Sequence, residues 1–199
     1  MTTLRELFSS ECKFVAGAAS PDQIPRYFLQ EVAFIGRSNV GKSSLINALT
    51  RQKDCARISK TPGCTRQINF FTLANKISLV DLPGYGYATT SREMRRSWDH
   101  LILNYLLERP NLRRVFLLID SRHGIKKNDE EIMEILDNSA VMYQVILTKI
   151  DKIKNEASIE DLMKSQIANH AAAHPVIIST SSKKTLGIQE IREEIWRFI

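Results

Sequence analysis

The run Gly36-Arg37-Ser38-Asn39-Val40-Gly41-Lys42-Ser43 constrains the fold more than any other stretch, because it sets GxxxxGK[ST] between an apolar run at 32–35 and an amphipathic segment at 42–50. Its glycines let the backbone turn tightly and approach an anion, while successive N–H groups and the start of a helix supply positive potential. A lysine at the sixth place after the first glycine reaches the β and γ phosphates of a nucleotide, and the next hydroxyl serves Mg2+. An ordinary glycine-rich turn needs the glycines alone, not the strand, the helix and the Lys42-Ser43 pair together.

Apolar runs of strand length recur at 32–35, 68–73, 77–80, 115–119, 141–147 and 176–178, separated by segments expected to be helical at 42–50, 91–107, 129–136, 158–172 and 187–198. This alternation predicts an α/β P-loop fold: a mixed, mostly parallel six-stranded sheet with helices on both faces. The runs ending at Leu73 and starting at Ile77 leave no room for a crossover helix, so those two strands should pair antiparallel. Residues 1–30, with Pro21 and Pro25, are expected to be an extension packed on the single domain 31–199. At 199 residues and 43% hydrophobic, one core suffices.

Neither a run of about twenty apolar residues nor a signal-peptide pattern occurs, so a cytoplasmic protein without membrane association is expected, with a monomer as the default. Cys12, Cys55 and Cys64 form no CxxC pair and read as reduced thiols. A formal charge of +6 favours a polyanionic partner.

Four further motifs accompany it. Thr148-Lys149-Ile150-Asp151 directly follows the run 141–147. A carboxylate at position 151 accepts from the guanine N1–H and exocyclic amine together, whereas adenine offers no such donor pair, and Lys149 lays its stem along the base. Asp81-Leu82-Pro83-Gly84 ends the run 77–80, so Asp81 is expected to reach Mg2+ through water and the Gly84 N–H to sense the γ-phosphate. Between the first helix and the second strand, Thr61-Pro62-Gly63-Cys64-Thr65 offers a hydroxyl to the metal; Thr65 is favoured and Thr61 is its competitor. Ser179-Thr180-Ser181, after the final run, offers a backbone N–H to guanine O6.

The stretches SNVGKSSLINAL, SKTPGCTRQINFF and DLPGYGYA together resemble the EngB (YihA/YsxC) family of bacterial GTP-binding proteins over residues 8–198. The resemblance implies a Mg2+-dependent GTPase that binds GTP and GDP, assists assembly of the large ribosomal subunit and is needed for normal septation in cell division. Its nucleotide contacts would be residues 36–43, Gly63, Cys64, Thr65, Arg66, Gln67, residues 81–84, 148–151 and 179–181. Ser43 and Thr65 would bind the metal, and Lys42, Thr65 and Gly84 would act on the transferred phosphoryl group.

Where signalling GTPases place a water-orienting glutamine after DxxG, this chain has Tyr85, which predicts slow intrinsic hydrolysis. A partner's arginine or a K+ ion beside Asn39 would supply the missing term. Arg92, Arg95, Arg96 and Trp98, with Arg109, Arg113 and Arg114 nearby, form a candidate contact for ribosomal RNA. Two rivals stand beside this reading: a GTP-dependent scaffold with negligible hydrolysis, and another RNA-linked P-loop NTPase, including one that uses ATP.

Overall fold

In the computed structural model, strand β2 (Gln30–Gly36) is buried from Glu31 to its end, which is why its sequence is a continuous apolar run instead of an alternation. The structure describes residues 3–26, 29–52, 55–56, 67–86 and 92–199, with backbone alone over 92–99. Parallel to β2 lie β4 (Ile77–Asp81) on one side and β5 (Leu112–Asp120) on the other. With β1 (Cys12–Ala18), β3 (Ile68–Leu73), β6 (Tyr143–Thr148) and β7 (Ile178–Ser179), the described residues form a seven-stranded sheet in the order β1-β3-β4-β2-β5-β6-β7.

The β3–β4 pair is antiparallel, closed by a turn in which Ala74 and Asn75 are both left-handed and the Lys76 N–H donates to Leu73 O at 3.0 Å. The expected sheet is thus present with one strand more. The additional strand, β1, comes from the N-terminal 30 residues and runs antiparallel to β3 as an edge. Lys13, Phe14 and Val15 are exposed in succession, and the register shifts between Phe14 and Ala16, so no period-two pattern marks this strand.

Helices cover both faces. Val32 and Phe34 of β2 point into one core with α1 (Leu4–Ser9), α2 (Lys42–Thr50) and α6 (Ile188–Trp196). Ala33 and Ile35 point into the other, packed by α3 (Arg92–Glu108), α4 (Lys127–Asn138) and α5 (Glu156–Ile167). Among the described residues no helix is long and apolar enough to cross a membrane.

Arg192 of α6 is 7% exposed and closes the end of α2: its Nε donates to Leu49 O at 3.0 Å, and its Nη2 to Ala48 O at 3.0 Å and Leu49 O at 2.8 Å. These are last-turn carbonyls without helical partners, and the guanidinium also lies over the Phe8 ring. Arg192→Met keeps the bulk but leaves the carbonyls unsatisfied, so it should lower the unfolding free energy by about 1–3 kcal/mol in urea titration. A midpoint unchanged from the parent chain would refute this capping role.

The candidate RNA-contacting arginines are divided by the fold. Arg109 is bound bidentately to Glu31, its Nε to Oε2 at 2.8 Å and its Nη2 to Oε1 at 2.6 Å. Arg114 is buried and donates to Glu194 at 2.6 Å and Gln144 at 2.9 Å, while Arg113 bonds Gln30. Arg109 and Arg114 are therefore structural cations, because a buried guanidinium is tolerable only when paired. The side chains of Arg92, Arg95, Arg96 and Trp98 lie outside the described residues.

Candidate nucleotide-binding site

The carboxyl ends of β2, β4, β5, β6 and β7 open on one edge of the sheet, the edge where ligands of such folds bind. From the end of β2 the chain makes a tight loop into α2. Asn39 and Gly41 adopt left-handed backbone (φ 61 and 110), and Gly41 immediately precedes the helix. A Cβ at Gly36 would come within 2.9 Å of Leu118 O, so the loop can start there only without a side chain.

Two side chains from β6 and its end brace this loop. Thr148 Oγ1 donates to Val40 O at 2.8 Å. Lys149 Nζ donates to Asn39 O at 2.7 Å and to Asp120 Oδ2 at 2.9 Å, its stem passing Gly41. Asp120, at the end of β5, was not singled out by sequence; a carboxylate ending a central parallel strand was the available signal. Burial disfavours its charged form, but hydrogen bonds from Arg122 and Lys149 outweigh burial and hold Asp120 below the usual carboxylate range.

Asp151 follows two residues after Lys149. Its Oδ1 accepts the Ser181 hydroxyl at 2.6 Å, and that bond is the chief cause holding its pKa below the ordinary value. The carboxylate is thus oriented and ionised at neutral pH. The Ser181 hydroxyl is part of the site, whereas the backbone reading for 179–181 needs correction. The Thr180 N–H donates to Leu147 O at 2.6 Å and the Ser181 N–H to Leu186 O at 3.1 Å, so the sheet and the following turn consume both. The next backbone N–H along the chain belongs to Ser182.

On the phosphate side, Lys42 Nζ pairs with Asp81 Oδ1, both nearly buried. Ser43 stands in the first turn of α2. Leu82 N–H donates to Phe34 O at 3.0 Å, and Pro83 and Gly84 continue beside the loop, where a Cβ on Gly84 would lie 3.3 Å from Gly36 O. Tyr85 bridges to Arg37, accepts the Ser38 N–H on its carbonyl at 3.1 Å and donates its hydroxyl to Asp129 Oδ1 at 2.6 Å.

Residues 36–43, 81–84 and 148–151 thus converge on one edge. Gln67 does not join them: its side chain lies against Gly17 and bonds Asn69 at 3.1 Å, with β4 between β3 and the strand that feeds the loop. Thr61, Gly63, Cys64, Thr65 and Arg66 lie outside the described residues.

Comparison with known proteins agrees with this geometry. A family model described as 50S ribosome-binding GTPase matches residues 31–149. The "Probable GTP-binding protein EngB" of Rhodospirillum rubrum is 50% identical over 96% of this chain and 86% of its own length. The protein of the same name from Caulobacter vibrioides is 52% identical over 97% and 85%. Among solved structures, a crystal structure of a "probable GTP-binding protein engB" superposes with a TM-score of 0.69 at 26% identity, covering 84% of this chain and 97% of the other.

Proposed function

The chain belongs to the EngB family of GTP-binding proteins, and from that premise we propose that it is a slow, Mg2+-dependent GTPase whose GTP-bound form assists assembly of the large ribosomal subunit. The family resemblance extends this to normal septation. The observation that carries the nucleotide half is the Asp151 carboxylate, held by the Ser181 hydroxyl beside a lysine whose stem crosses the glycine turn.

In this reading Asp151 takes the two guanine donors, Lys149 covers the base and the Ser182 N–H meets O6. Residues 36–43 wrap the phosphates. Lys42 Nζ exchanges Asp81 for phosphate oxygens, and its charge offsets the negative charge that develops as the terminal bond breaks. The hard oxygen donors Ser43 and Thr65 suit Mg2+, with Asp81 reaching it through water. Bound Mg2+ would neutralise charge on the β and γ oxygens. Asn39 is the candidate position for K+. Tyr85 supports slow turnover: its hydroxyl is committed to Asp129, so nothing at that position orients a water, and the missing contribution comes from a partner or from K+.

The ribosomal half is tested by sedimentation with separated ribosomal subunits. Expected is co-sedimentation with the large subunit in a non-hydrolysable GTP analogue and release in GDP. Equal binding in both nucleotides, or preference for the small subunit, would refute it. Binding in the analogue should weaken steeply as salt is raised if ribosomal RNA supplies the contacts.

A further inference from the structure

Asp129 belongs to no nucleotide motif, yet it is 1% exposed on the first turn of α4. Its carboxylate is gripped from two sides: Oδ1 accepts the Tyr85 hydroxyl at 2.6 Å and Oδ2 accepts the Lys126 N–H at 2.8 Å. A buried carboxylate is costly unless its oxygens are satisfied. Burial pushes the Asp129 pKa above the usual carboxylate range, and the Tyr85 hydroxyl and the Lys126 N–H work against that push.

Tyr85 is in turn fastened twice. Its carbonyl holds the Ser38 N–H of the phosphate loop, and its ring tip reaches α4. At the other end of the same segment, Asp81 pairs with Lys42 and the Leu82 N–H donates to Phe34 O. Residues 81–85 are therefore strapped along the phosphate loop, and Gly84 sits between the straps.

We infer that Asp129 is a positioning residue for the γ-phosphate sensor: through the Tyr85 hydroxyl it holds Gly84 against the phosphate loop, where the Gly84 N–H reads a third phosphate. This rests on the guanine-nucleotide reading above. A diphosphate is held by residues 36–43 and the base by residues 149–151, so loosening the strap leaves GDP binding alone. Only a triphosphate then bears the added ordering cost of an unheld Gly84. The signature is a changed ratio of affinities, not a general weakening.

The test is titration of fluorescent GDP and a non-hydrolysable GTP analogue against the full chain with Mg2+ present. Tyr85→Phe keeps the ring and removes the hydroxyl; it should weaken analogue binding about tenfold with GDP affinity within about twofold of the parent. Asp129→Ala should do the same, and the double variant should be no worse than either single one, because both remove one link. An unchanged ratio, an equal loss for both nucleotides, or additive losses would overturn the inference. Should Asp129→Ala fail to give a cooperative melt, Tyr85→Phe alone decides. Failure of the parent chain to bind GDP would instead sink the nucleotide reading and leave no sensor to position.

Discussion

Asp151→Asn should weaken GDP binding by about a hundredfold to a thousandfold while raising affinity for xanthosine diphosphate. The carboxylate is ionised at neutral pH, because the Ser181 hydroxyl stabilises its charged form, and it offers two acceptors to guanine N1–H and the exocyclic amine. Asparagine keeps one acceptor and turns a donor toward a donor, so the base loses one charge-assisted bond and leaves another group unpaired. Xanthine carries an oxygen where guanine carries the amine, which restores the match. Asp151 is half-buried, and an asparagine oxygen can still accept the Ser181 hydroxyl, so the variant should unfold near the parent's midpoint. Competition between GDP and xanthosine diphosphate measures the switch; an Asp151→Asn protein that still prefers GDP as the parent does would remove guanine recognition from this site.

Arg109→Ala should cost about 3–5 kcal/mol of stability. Glu31 is 0% exposed, and Arg109 supplies both of its charge-assisted bonds, with the Tyr105 hydroxyl adding a third at 3.0 Å. Truncation strands a buried carboxylate at the foot of β2, the strand whose other end becomes the phosphate loop. The guanidinium also rests over Phe70, so its loss opens an apolar contact as well. Pairing Arg109→Ala with Glu31→Gln removes the uncompensated charge, and the double variant should recover part of the loss. Urea unfolding of the three proteins decides: a double variant as unstable as the sum of the singles would show that the two side chains are not acting as a pair.

The parts of the site that sequence made legible are those whose chemistry is local in the chain. The turn 36–43 and the run 148–151 each carry their meaning within eight residues, and the strands that present them are buried on both faces and therefore apolar over most of their length. The short link between Leu73 and Ile77 likewise dictated an antiparallel pair. What escaped depends on separation along the chain. Arg109 and Arg114 read as part of a basic surface because their partners, Glu31 and Glu194, lie 78 and 80 residues away. Asp129 looked like any helix-start acid, and its role appears only when Tyr85, 44 residues earlier, is brought onto it. The N–H groups of Thr180 and Ser181 were spent by strand pairing and by the turn at Leu186, which moves the expected donor to Ser182. Strand β1 hid its nature behind an irregular register.

That irregularity bears on how copies of the chain behave when concentrated. An outermost strand normally presents a row of unpaired backbone groups on which a neighbour can add its own strand, and exposed Phe14 and Val15 would make such stacking more favourable. Here the row is broken at its middle, where the register slips between Phe14 and Ala16, and the flanking Lys13 sets a charge in the path. The kink that obscured the strand from sequence thereby also guards the molecule against edge-to-edge polymerisation.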